Sequence, residues 1–148
     1  MNPARYAVIG RGWRAKFFVR LARLMPDRFC VTGNVTSGGK NINFSTNGHA
    51  NVTFVVNIGG KVALDGGSKI LTDAGSANLL LNVGKDVALT GGGGGSNCCN
   101  AVIEGSILVV HGKVALSPGL VQGKICASGD ISIVSGSSVV CEEQICVP

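Results

Sequence analysis

Apolar and polar positions alternate along most of this chain, in a phrase that occurs four times. Lys61-Val-Ala-Leu-Asp-Gly-Gly67 is followed by Asp86-Val-Ala-Leu-Thr-Gly-Gly92, Lys113-Val-Ala-Leu-Ser-Pro-Gly119 and Asp130-Ile-Ser-Ile-Val-Ser-Gly136, at spacings of 25, 27 and 17 residues. A second phrase is interleaved: Val102-Ile-Glu-Gly-Ser-Ile-Leu108 returns as Val121-Gln-Gly-Lys-Ile-Cys126, with Gly105 and Ile107 recurring 18 residues later at Gly123 and Ile125. Alternation such as Val62/Leu64, Val87/Leu89 and Val114/Leu116 predicts strands of about four residues with one face buried. Glycine and small polar residues mark the corners between them. Thr53-Phe-Val-Val-Asn-Ile58 and Asn78-Leu-Leu-Leu-Asn-Val83 read as further strands. Two interleaved phrases in phase, with a rung period near 18 residues, predict a mainly β fold, a short-coil β-solenoid in which each coil stacks on the next. A core made of Val, Ile and Leu ladders accounts for the scarcity of aromatics.

The first 36 residues have a different pattern. Tyr6 to Ile9 predicts a short strand and Phe29 to Thr32 another. Between them Phe17, Leu21 and Leu24 recur at helical spacing, predicting a helix over Trp13 to Met25 that Pro26-Asp27 stops. The chain therefore divides into a βαβ-like segment, 1–36, and a solenoid, 37–148, with the helix packed on the solenoid or capping it. The turn Gly10-x-Gly12-x-x-Ala15 fits the dinucleotide-binding pattern: the first glycine permits the tight turn, and the second lets the backbone approach a pyrophosphate at the helix N-terminus.

Charge follows the same division. The formal net charge is +5, but all six arginines lie in residues 1–33, which carry +6, while residues 34–148 carry −1. The arginines spread around one short helix without an aromatic stacking platform, which argues against nucleic-acid binding. No run approaches the ~20 apolar residues of a membrane-spanning helix. Arginines interrupt the N-terminal apolar stretches, so they do not read as a signal peptide. Even so, Cys98, Cys99, Cys126, Cys141 and Cys146 and the Asn-x-Ser/Thr sequons at Asn34, Asn43 and Asn51 suit a secreted or cell-surface protein.

Candidate chemistry is sparse. His49 and His111 are the only histidines, and neither has a cysteine or carboxylate at ligand spacing. Glu142-Glu143 and the scattered aspartates form no convergent acid–base pair; Asp65, Asp73, Asp86 and Asp130 are expected at coil corners, accepting backbone N–H bonds. Gly91 to Gly95 lacks the Lys-Ser/Thr that ends a phosphate-binding loop and is read as a flexible loop. Cys126, Cys141 and Cys146 are disulfide candidates for closing a terminal coil, with the pairing open and free thiols the alternative. No catalytic residue, metal site or cofactor is expected in the solenoid.

Two resemblances extend this reading. Tyr6 to Ala15, Arg20-Leu-Ala-Arg23 and Pro26-Asp-Arg-Phe29 resemble the N-terminus of the glucose-fructose oxidoreductase-like (Gfo/Idh/MocA) dehydrogenases over residues 5–36. That resemblance implies an NAD(P) site with Gly10, Gly12 and Ala15 at the pyrophosphate, and a cytoplasmic protein. The βα units that complete such a domain, the acidic ribose ligand and the Glu-Lys-Pro motif are missing. Val52 to Gly59, Ala77 to Gly84 and Ile103 to Leu108, with the closing coils, resemble the ice-binding-like and choice-of-anchor A β-solenoids over residues 42–140; bactofilins are a more distant likeness. This resemblance implies a non-enzymatic, secreted or surface solenoid acting through an extended flat face, with ice or a matrix or surface ligand as partner. An alternative within it is self-association through exposed coil ends. In the position after the repeated apolar pair only Thr90 is a threonine, against Asp65, Ser117 and Val134, so no threonine ladder is expected.

Overall fold

Three strands per turn, repeated five times, build the molecule. A computed structural model describes residues 8–9, 28–91 and 100–141. After β1 (Val8–Ile9), the first coil is β2 (Arg28–Val31), β3 (Val35–Gly38) and β4 (Asn41–Phe44). The second is β5 (Phe54–Ile58), β6 (Val62–Asp65) and β7 (Lys69–Thr72); the third is β8 (Leu79–Val83), β9 (Val87–Leu89) and β10 (Ala101–Glu104). The fourth is β11 (Ser106–Val109), β12 (Val114–Leu116) and β13 (Gly119–Gln122), and the fifth β14 (Ile125–Ala127), β15 (Ile131–Ile133) and β16 (Ser138–Val140). First strands form sheet A in the order β1-β2-β5-β8-β11-β14, second strands sheet B, β3-β6-β9-β12-β15, and third strands sheet C, β4-β7-β10-β13-β16. Every pairing is parallel. The fold is a three-sided β-solenoid.

The repeated phrase is the second side. Val62, Val87, Val114 and Ile131 stack in register, as do Leu64, Leu89, Leu116 and Ile133. These columns face inward: in coils 2 to 4 their members are at most 1% exposed. Sheet A adds Val56, Leu81 and Ile107, and sheet C adds Ile70, Ile103 and Val121. Each fully buried side chain of this size contributes about 1.5–3 kcal/mol over its exposed state. The aromatic pair Phe44 and Phe54 sits in coils 1 and 2, with ring centroids 5.6 Å apart.

The 18-residue rung is met where corners are short: Ile107 pairs with Ile125, and Leu120 with Ser138. Earlier coils are longer because corners carry insertions. Residues 45–53 and 73–78, the latter including a 3-10 turn at Ser76–Asn78, fall between sheets C and A, and residues 90–100 fall between β9 and β10. The glycine run expected as a loop lies in that last connection, mostly outside the described residues.

Corners leave backbone N–H groups that must find acceptors. Small polar side chains of one coil supply them to the next. Asn34 Oδ1 accepts from Lys61 N at 3.0 Å and Asp86 Oδ1 from Lys113 N at 3.0 Å. Ser68, fully buried, accepts from Gly39 N at 2.8 Å, and Ser137 accepts from Gly119 N at 3.1 Å. At the corner between sheets A and B the coils approach so closely that a Cβ on Gly129 would sit 2.7 Å from Gly112 O. The expectation for the corner aspartates is met by Asp86 and Asp73.

At the N-terminal end, β1 and β2 pair in parallel, Val8 opposite Cys30, as the two strands of a βαβ unit would. Yet β2 also pairs with β5, and β3 with β6 across the 36/37 boundary. Residues 28–36 therefore already belong to the first coil. The helix expected over Trp13 to Met25 lies outside the described residues.

Candidate functional site

Sheet B presents a face centred on small outward residues. Its three-residue strands, β9, β12 and β15, turn two residues inward and one outward, while the four-residue β3 and β6 add Gly38 and Asp65 as a second outward position at one edge. Register places Thr36, Ala63, Ala88, Ala115 and Ser132 in a single column. None carries a side chain longer than threonine, so this column has no protrusion over five rungs, spaced about 4.8 Å apart. One edge of this face is charged in alternation. The residues immediately before the strands, Asn34, Lys61, Asp86, Lys113 and Asp130, stack as neutral, positive, negative, positive, negative. Opposite charges on adjacent rungs favour this register, and a one-rung slip would place like charges side by side. The other edge is the column Asp65, Thr90, Ser117 and Val134, held by Thr90 N to Leu64 O at 2.8 Å and Ser117 N to Leu89 O at 2.7 Å. Thr90 is the column's only threonine, as its sequence implies.

A concave feature lies where the insertions of coils 1 and 2 meet. Thr46, His49, Asn51, Thr53, Asp73 and Asn78 line a polar cleft of about 430 Å³. Asn47 and Asn51 adopt positive φ, 52° and 57°, the left-handed region that asparagine tolerates better than most residues. Asp73 fixes the loop: Thr46 N–H donates to Oδ1 at 2.7 Å and the Ser45 hydroxyl to Oδ2 at 2.8 Å. The Thr46 N–H, and secondarily the Ser45 hydroxyl, hold the Asp73 carboxyl below its ordinary pKa. A depressed folded-state pKa means these bonds support the loop above the unfolded value and are lost as pH falls through the folded value. The Thr46 amide resonance is therefore expected to titrate with a midpoint below the ordinary aspartate value, and Asp73→Asn to abolish the titration. A midpoint at or above the ordinary carboxylate value would contradict this geometry.

An apolar cavity of about 460 Å³ lies inside coils 1 and 2, between Val35, Ile42, Phe44, Phe54 and Ile70. It is lined by no histidine, cysteine or carboxylate among the described residues.

Residues singled out from sequence are dispersed. His49 lies in the polar cleft with Asp73, while His111 is exposed at the corner between sheets A and B. Among the described residues no three histidines, cysteines or carboxylates are grouped to hold a metal. Cys126 is exposed on the outward side of β14, Cys141 is exposed after β16, and the two are not joined to one another. Gly10, Gly12, Ala15, Cys98, Cys99 and Cys146 lie outside the described residues. Asn34, Asn43 and Asn51, the three sequon asparagines, are all exposed and all precede β5. The small-residue column of sheet B was within reach of sequence reasoning, since Ala63, Ala88 and Ala115 are the middle residues of the repeated Val-Ala-Leu. No helix among the described residues is long and apolar enough to cross a membrane. Comparison of the chain with family models, with curated proteins and with solved structures finds no match.

Proposed function

We propose that this protein is a non-enzymatic solenoid, secreted or displayed at the cell surface, that adheres to an extended flat surface through sheet B. The observation that carries this reading is the unbroken column Thr36, Ala63, Ala88, Ala115 and Ser132. A rigid, parallel-stacked column with no long side chain of its own loses little conformational entropy on contact. Its small methyls and hydroxyls suit a planar polymer or matrix surface better than a small molecule, which needs a concave site.

The test is depletion of the protein from solution by particles of microcrystalline cellulose or chitin. Wild-type protein should be depleted. Ala88→Glu should weaken binding by about tenfold or more, because a carboxylate is forced into the contact without a partner. Leu108→Glu, on the outward side of sheet A, should bind as wild type. Equal binding by both variants would exclude sheet B as the contact face.

Ice is the second planar candidate, favoured by the same regular rung spacing and opposed by the missing threonine ladder. Inhibition of ice recrystallisation at micromolar protein, lost in Ala88→Glu, would select it. The oxidoreductase reading rests on residues 5–36 alone. Calorimetric binding of NAD⁺ or NADP⁺ that Gly12→Asp abolishes would overturn the present proposal in its favour.

A further inference from the structure

The inward columns lose their cover abruptly at the last described coil. Val114, Leu116 and Val121 of coil 4 are 0% exposed, whereas their stacked partners in coil 5, Ile131, Ile133 and Val139, are 44%, 51% and 38% exposed. Among the described residues the same coil ends all three sheets, at β14, β15 and β16. An apolar end face is thus rimmed by three parallel strand edges, a combination that templates further strand pairing. The opposite end is not its match. There, among the described residues, β1 extends sheet A beyond β2, while sheets B and C stop at β3 and β4. A head-to-tail stack would bring sheet A into contact one rung before the other two sheets.

A twofold arrangement avoids that step, since it apposes identical ends. Charge then selects the side on which the axis falls. Lys124 immediately precedes β14 and Asp130 follows it by three residues. Both are exposed, and neither side chain has a hydrogen bond or ion pair among the described residues. If β14 lies antiparallel to β14 of a second copy, each Lys124 comes to the end where the other copy carries Asp130. Strand β15 then faces β16 of the second copy, closing both remaining edges. An axis through sheet B would instead place Asp130 beside the Ser135–Gly136–Ser137 corner, with no charge partner.

We propose that the C-terminal coil is an isologous dimer interface, in which β14 pairs antiparallel with β14 of a second copy and Lys124 and Asp130 pair reciprocally. This surface is separate from sheet B and does not depend on the adhesion reading. The arrangement also brings the outward, exposed Cys126 of the two copies together near the axis.

Sedimentation velocity over a concentration series should find a reversible dimer. Lys124→Glu, an exposed substitution that leaves the core untouched, should raise the dimer dissociation constant about tenfold or more by opposing like charges. Adding Asp130→Lys should restore dimerisation by reversing the pair. Oxidation with diamide, which accepts the two thiol hydrogens as the sulfurs join, should yield a covalent dimer that Cys126→Ser does not form. A monomer at every concentration overturns the proposal. A dimer indifferent to charge at 124 and 130, or one whose cross-link survives Cys126→Ser, overturns it equally.

Discussion

Leu89→Ala is expected to lower the free energy of unfolding by about 3–5 kcal/mol. Leu89 is 0% exposed and stands in the middle of its column, between Leu64 and Leu116. Part of the cost is the transfer of the lost side-chain atoms, and part is the cavity they leave. The cavity persists because the surroundings cannot move in: β9 is paired on both sides by β6 and β12. The next corner also presses against Leu89, a Cβ on Gly119 falling 2.6 Å from Leu89 Cβ. In a solenoid each coil contacts only its neighbours, so a void in coil 3 weakens both halves at once. Ile133→Ala removes a similar side chain from the same column in coil 5, where it is 51% exposed. That change is expected to cost about 1 kcal/mol or less. Urea unfolding monitored by circular dichroism gives both values, and equal losses at the two positions would contradict the stacked core. The Ile133 comparison belongs at low protein concentration, below any end-face association.

Gly105→Val is expected to be at least as damaging, by about 3 kcal/mol or more, and to reduce the yield of folded protein. Gly105 is the single residue between β10 and β11, so this corner has no slack. A Cβ there would lie 2.8 Å from both Leu79 O and Leu79 Cγ. The carbonyl oxygen belongs to the strand below and cannot yield without breaking sheet A. Gly48, in the insertion of coil 1, is the informative contrast. Its φ of 80° disfavours any side chain, but a Cβ there meets nothing within 4 Å. Gly48→Ala should therefore cost only about 1 kcal/mol. Thermal unfolding of the two variants separates a corner where backbones touch from a corner that is merely left-handed. Similar melting temperatures would mean that the coils do not approach as closely as Gly105 requires.

The stacking was legible because the phrases carry their own register. Lys61, Asp86, Lys113 and Asp130 each begin a Val-Ala-Leu-like triplet, and those triplets pair residue for residue. The alternating charges of that column could be seen in the same four residues once they were aligned. The third side was harder to see. Strands such as Asn41–Phe44 and Lys69–Thr72 share no phrase, because their outward residues vary and only Ile42 and Ile70 mark the inward column. Insertions also hid the period: residues 45–53 and 73–78 add to the first coils without disturbing the strands, since corners face solvent. The polar cleft between them depends on Asp73 reaching Thr46, residues 27 apart in sequence, and no local pattern announces such a contact. The segment boundary at 36/37 followed a true change in composition, but strand pairing ignores composition and draws residues 28–36 into the first coil. The face assigned to function was in view from the start as the middle alanine of the phrase; only the register turned a repeated small residue into a continuous surface.

The most direct test of the account is a set of methyl contacts across sheet B, read by nuclear Overhauser effects in isotope-labelled protein. Parallel strands one rung apart lie about 4.8 Å from one another, so Ala63 should show contacts to Ala88, and Ala88 to Ala115. Ala63 and Ala115, two rungs and roughly 10 Å apart on the same spacing, should show none. That pattern would establish both the rung order and the flat outward column. Absence of the two adjacent contacts, or a direct contact from Ala63 to Ala115, would contradict the stacked three-sided solenoid and remove the surface on which the proposed function rests.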